Sequence, residues 1–269
     1  MSHNKRASLF PMQRCKVIHL SRHAQGTHNE AFEKDKLAYT KVEYFDAPLT
    51  KLGWQQAQQF KQHNLTAHVV PQIVVTSPLS RCLQTAIAMY GGENMKPHEP
   101  MSMALMANGV ALTGHPAISS FGAPPFIAVE WCRERLGVHF CDKRLPVSIL
   151  KKNYPTIDFS NIVTNEDTWW TSDVRESTEQ LFERGRCFVE WLLDRQEQRI
   201  AVVAHSSFNW HFTRLFGEDC SPIVQKELQD GYSNCEMRSL ILADKKPNLF
   251  VQRSPCDFVG GSIHYVPSE

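Results

Sequence analysis

The chain has 269 residues, of which 42% are hydrophobic and 21% charged, the balance of a soluble globular protein. Its 29 Lys and Arg against 28 Asp and Glu leave a net charge of +1. No overall field therefore draws it to nucleic acid or to an acidic membrane, and an anionic ligand must be held by locally gathered cations.

The stretch Met1 to Met12 is polar and has no apolar core of signal-peptide length. No run approaches the roughly 20 apolar residues that span a bilayer. The eight cysteines are scattered without a C-x-x-C pair, as in proteins of a reducing compartment, so a cytoplasmic location is expected. His139 and Cys141 form the only close pair of metal-ligand type, and no metal site is expected. The sequence leaves the oligomeric state open.

In chain order, β-branched runs bounded by turn residues predict strands over Lys16–Ser21, Gln72–Thr76, Phe126–Glu130, Arg199–Ala204 and Arg238–Ala243. Helices are expected between them. One covers Trp54–His63. A second covers Leu79–Tyr90, with Pro78 suited to a first turn. The longest covers about Thr178–Arg195, opened by the capping-box pair Ser177 and Gln180, with Leu181, Phe188 and Leu192 on one face. Strands alternating with helices predict an α/β fold: a three-layer α/β/α arrangement with a mostly parallel central sheet covered on both faces. One domain is expected over 1–269. Two aperiodic segments, 91–125 and 137–175, are expected to be lid or cap insertions. The pair Trp169-Trp170 in the second reads either as packing or as a wall for a ring-bearing ligand.

The most telling stretch is Arg22-His23-Ala24-Gln25-Gly26-Thr27-His28-Asn29, directly after the apolar run Val17-Ile18-His19-Leu20. An arginine beside a histidine at a strand end presents forked donors for phosphoryl oxygens and a neutral ring for attack on phosphorus. His19, inside the strand, reads as a core residue. Three further segments follow: Pro48-Leu49-Thr50-x-x-Gly53-x-x-Gln56-Ala57, Ser77-Pro78-x-x-Arg81-x-x-Gln84-Thr85-Ala86, and the strand Ala201-Val202-Val203-Ala204 leading to His205-Ser206. In this order they resemble the motifs of the histidine phosphatase superfamily, in its phosphoglycerate mutase-like branch. Two departures stand out. Ala24 replaces the usual glycine, and Gly26 stands where many members carry a phosphate-binding hydroxyl.

The resemblance implies that His23 is the nucleophile, that Arg22, Arg81, Asn29 and His205 hold the phosphate, and that His205 stabilises charge during transfer. It also implies a carboxylic acid near the third strand, at Glu134 or else at Glu130. His28 reads as a substrate contact or as an exposed turn residue. No cofactor is expected beyond a covalent phosphohistidine, with phosphate or sulfate as a ligand that would fit. The expected partner is a small phosphorylated metabolite, with neither nucleic acid nor membrane. Three functions share these residues: a phosphatase, a phosphomutase, and a non-catalytic phospho-ligand binder on the same fold.

Overall fold

The computed structural model describes residues 9–63, 69–111 and 114–245. Its strands are β1 (Cys15–Arg22), β2 (Ile73–Thr76), β3 (Ala104–Met106), β4 (Ile118–Ser119), β5 (Phe126–Ala128), β6 (Arg199–Ala204) and β7 (Met237–Ala243). The helices are α1 (Thr27–Lys34), α2 (Lys51–Gln62), α3 (Ser80–Tyr90), α4 (Val147–Asn153), α5 (Thr178–Leu193), α6 (Ser206–Thr213) and α7 (Pro222–Gln229).

Five strands form one sheet in the order β5-β2-β6-β1-β7. The first four are parallel, and β7 runs antiparallel along β1. Period-two alternation sends successive side chains of these strands into two separate cores. Val74, Ala201 and Val203 pack with Trp54 of α2 and with Leu83, Ala86 and Ile87 of α3. Leu20, Val75, Ile200 and Val202 pack with Leu181 and Phe188 of α5 and with Phe208 of α6. The result is the expected α/β/α layering. Because both faces are covered, β2 is buried at all four positions, which is why it reads as an apolar run.

The third expected strand ends two residues early. The chain turns at Glu130–Cys132, a 3-10 turn, so Glu130 lies past the sheet. Segment 91–125 holds the small antiparallel pair β3–β4, and its His115 stacks on Trp54 of α2 at 4.3 Å. The sequence shows no helical period there because each short piece leans on a different neighbour.

The register aligns the carboxyl ends of the parallel strands: Arg22 lies beside Ala204, Val203 beside Thr76, and Thr76 beside Ala128. Ligands of open α/β sheets bind in the crevice just past this edge. Arg22 and His23, Ser77 and His205 all stand there.

Candidate active site

The loop after β1 lies on a bed made by α2 and α3. Thr50 caps α2 by accepting from the amide of Gly53 at 3.0 Å. Gln56 accepts the amide of Gln25 at 2.9 Å. Gly53 has no side chain for a physical reason: a Cβ there would lie 2.1 Å from the Gln25 carbonyl oxygen. On α3, positions 81, 84 and 85 share one face. Gln84 Oε1 accepts the amide of Leu49 at 2.8 Å, and Thr85 Oγ1 accepts that of Ala24 at 3.0 Å. The second and third motifs are thus the cradle of the first.

The sheet edge opens on a cavity of about 510 Å³. Arg22, His23, His28, Asn29, Arg81 and Glu134 all line it. His23 is 2% exposed, and its Nδ1 lies 2.7 Å from the Ala24 carbonyl oxygen. A carbonyl only accepts, so Nδ1 carries the proton and Nε2 keeps its lone pair. Arg81 Nε donates to that Nε2 at 3.3 Å. Burial, followed by the charges of Arg81 and Arg22, pushes the His23 pKa well below its ordinary value. The ring is therefore neutral at pH 7.

Each of the three Arg81 nitrogens has a partner, which leaves two of its five N–H donors. Its Nη1 donates to the Cys141 carbonyl and its Nη2 to Asp142 Oδ1 at 2.8 Å. Asp142 also takes Arg175 Nη1 at 3.0 Å. Burial alone would raise the Asp142 carboxyl, but a hydrogen bond from His139 and the charges of Arg81 and Arg175 outweigh it and hold it ionised. Arg22 Nη1 donates to the Tyr232 carbonyl at 2.8 Å, while its buried Nε has no partner among the described residues. Buried donors left like this favour an anion.

His28, one of the expected contacts, is buried in the cavity wall with its Nδ1 unpartnered. A Cβ at Gly26 would lie 2.6 Å from that Nδ1. Gly26 thus makes room for the imidazole, which stands beside the place where a hydroxyl was expected. Asn29 lines the cavity but is occupied: Oδ1 accepts the Gly26 amide at 3.0 Å and Nδ2 donates to the Tyr39 hydroxyl at 3.1 Å.

Glu134 and Glu130 separate cleanly. Glu134 lines the cavity, with Oε2 accepting the Ser207 amide at 3.2 Å at the start of α6. Glu130 is buried outside it. Its carboxylate is shared by Arg133 at 2.9 Å and Arg144 at 2.7 Å, and Arg133 also pairs with Asp167 at 2.6 Å. That placement corrects the expectation that Glu130 could serve at the substrate, as the alternative acid or a contact: its charge is spent on two buried guanidiniums.

His205 departs from expectation too. It is completely buried and does not line the cavity. Its Nε2 lies 2.8 Å from Ser77 Oγ, and its ring packs edge-on against that of His23, centroids 5.2 Å apart. A phosphoryl oxygen reaching Nε2 would have to replace the serine hydroxyl.

Of the two expected lids, 137–175 supplies His139, Cys141, Asp142 and Arg175 to the wall. Among the described residues, 91–125 supplies none. Trp169 packs on Trp131, and Trp170 donates to the His139 carbonyl. Neither tryptophan lines the cavity. Sequence reasoning missed Tyr39, Asp142, Arg175, Ser207 and Trp210 as wall residues. Asp142 and Arg175 lie in a segment with no period to read, and Tyr39 lies in a short 3-10 turn. Among the described residues no three His, Cys, Asp or Glu side chains cluster as metal ligands.

A neutral, oriented imidazole next to two guanidiniums at a sheet edge is a phosphoryl-handling site in chemical terms. Comparison with known proteins agrees. The profile described as "Histidine phosphatase superfamily (branch 1)" matches residues 18–103. A "Phosphoglycerate mutase-like protein" of Arabidopsis thaliana is 44% identical over 244 residues, covering 90% of each chain. A second from that plant, "Phosphoglycerate mutase-like protein 1", is 43% identical over 88% of this chain and 84% of its own. The solved structure of the ecdysone phosphate phosphatase from Bombix mori, in complex with tungstate, shares the fold. It superposes with a TM-score of 0.50 at 14% identity, covering 94% of this chain and 97% of that one. The chain belongs to the histidine phosphatase superfamily, among its phosphoglycerate mutase-like members.

Proposed function

We propose that the protein is a phosphatase that hydrolyses a small phosphomonoester through a phosphohistidine at His23. The observation that carries this reading is the His23 ring: buried, neutral, and with its Nδ1 proton fixed on Ala24 so that Nε2 is the attacking atom. Incoming phosphate takes over the Arg81 donor that Nε2 accepts in the free enzyme. Nε2 then attacks phosphorus in line, and the bond to the alcohol oxygen breaks. Glu134 gives that oxygen its proton. Arg22 and Arg81, with the amide end of α6 and His28, hold the equatorial oxygens. His205 seats the back of the His23 ring. In the second half, Glu134 takes a proton from water, water attacks phosphorus, and the electron pair of the P–N bond returns to Nε2. The route draws on no metal or cofactor.

The relatives' names raise a mutase reading, in which the phosphoryl group returns to a second hydroxyl. A phosphoglycerate also carries a carboxylate. Once Glu134 carries the proton it gives to the leaving oxygen, the cavity's Arg22, Arg81 and Arg175 stand against Asp142, three minus one, or +2. A phosphate dianion balances that charge, which leaves none for a carboxylate and favours an ester whose only anionic group is the phosphate.

The test is incubation with p-nitrophenyl phosphate, followed by assay for acid-labile, alkali-stable phosphoprotein. Labelling with turnover is expected, and His23→Ala should lose both. Absence of label and turnover across a broad ester panel would leave a phospho-ligand binder. Conversion of 3-phosphoglycerate to 2-phosphoglycerate in the presence of 2,3-bisphosphoglycerate would establish the mutase.

A further inference from the structure

Beyond the phosphate end, the cavity wall is made of rings. His23, His28, Tyr39 and His139 form a series with successive centroids 5.7, 5.2 and 5.6 Å apart. Exposure rises along it, from 2% at His23 and 3% at His28 to a 30% exposed side chain at His139. The series therefore leads from the nucleophile toward solvent, the course a leaving group must take. Trp210 and His211 of α6 add two more rings to the same cavity.

Two of these rings are held in place. Tyr39 stacks on Phe32 at 4.4 Å and takes the Asn29 hydrogen bond on its hydroxyl. The Arg214 guanidinium lies 3.3 Å over the Trp210 ring. Rigid rings offer large contact area at little ordering cost. Among the described residues no Leu, Ile, Val or Met side chain lines this cavity, so an alkyl chain would meet no aliphatic wall.

We infer that the substrate is a phosphomonoester whose leaving group is uncharged and carries a flat ring, an arylmethyl or heterocyclic alcohol. The inference rests on the phosphatase reading. The ring specifies the leaving group by offset or edge-to-face contact with Tyr39 and Trp210, and the phosphate dianion takes up the cavity's +2 balance, leaving no cation for a second anionic group.

The test compares benzyl phosphate with cyclohexylmethyl phosphate, primary esters of like size that differ in flatness, and with 3-phosphoglycerate. Benzyl phosphate is expected to have kcat/KM roughly tenfold above the saturated ester, mainly through KM. Tyr39→Leu and Trp210→Leu, on different elements, should each shrink that preference by about 2- to 10-fold. Equal kcat/KM for the two esters, or preference for 3-phosphoglycerate, would overturn the inference. Phosphoprotein labelling by these esters separates the two levels. Label without ring preference defeats this proposal and leaves the phosphatase reading standing; no label from any ester defeats both.

Discussion

Glu130 and Glu134 sit four residues apart, and their surroundings assign them opposite duties. Glu130 neutralises two buried guanidiniums, so Glu130→Gln leaves uncompensated charge in the interior. Breaking such a pair costs about 3–5 kcal/mol. Glu134 faces the cavity and, among the described residues, is held by two backbone amides, so Glu134→Gln should lower kcat by roughly 10²–10⁴ with little change in melting. Melting curves and single-turnover rates on both variants check this. A stable, inactive Glu130→Gln beside an active Glu134→Gln would reverse the roles. The sequence brought both glutamates into view and favoured Glu134 from its context before Gly137, but could not show what occupies Glu130, because that depends on Arg144, fourteen residues away. The same limit applies to His205. Its strand and position were readable, whereas its hydrogen bond to Ser77, on another strand's end, was not.

At the scale of elements, the five main strands were legible as β-branched runs bounded by turn residues, and the three main helices by a start signal or an apolar face. The Ser177–Gln180 capping box is formed as expected. The short pieces were not legible, since their conformation is set by tertiary contacts: α4, the β3–β4 pair, and the 3-10 turn at 140–142 that carries Asp142. The bed under the β1 loop gives a prediction at this scale. Gly53→Ala places a Cβ against a backbone carbonyl that cannot swing aside, so α2 and the His23 loop must part. Displacement of about 1 Å can cost on the order of 100-fold in rate. A loss of about 1–3 kcal/mol in stability is expected with it. Gly231→Ala, where nothing lies within 4 Å of the new Cβ, is the matched control and should be neutral. Equal behaviour of the two variants in kcat/KM and urea midpoint would refute the close-approach argument.

Across the whole molecule, buried imidazoles set the response to acid. Burial, reinforced by the Arg81 charge, depresses His23, His28 and His205 well below their ordinary pKa. Near pH 7.5 both folded and unfolded chains keep these rings neutral, and they add nothing to the pH dependence. Below about 6.5 the unfolded chain binds protons that the fold refuses, so stability drops as pH falls. Each histidine contributes up to about 1.4 kcal/mol per pH unit, hence about 4 for the three. Urea midpoints at pH 7.5, 6.5 and 5.5 should fall in that order, and His28→Phe should flatten the slope by one histidine's share. A flat profile would mean that the rings are wet or already charged. The division of labour around the cavity has a further consequence. In the proposed reaction the phosphate is handled from the ends of β1 and β6 and one face of α3, while Tyr39 comes from a short 3-10 turn between α1 and α2. Evolution or an engineer could exchange that outer piece, retuning which alcohol the proposed reaction releases while the reaction centre is inherited intact.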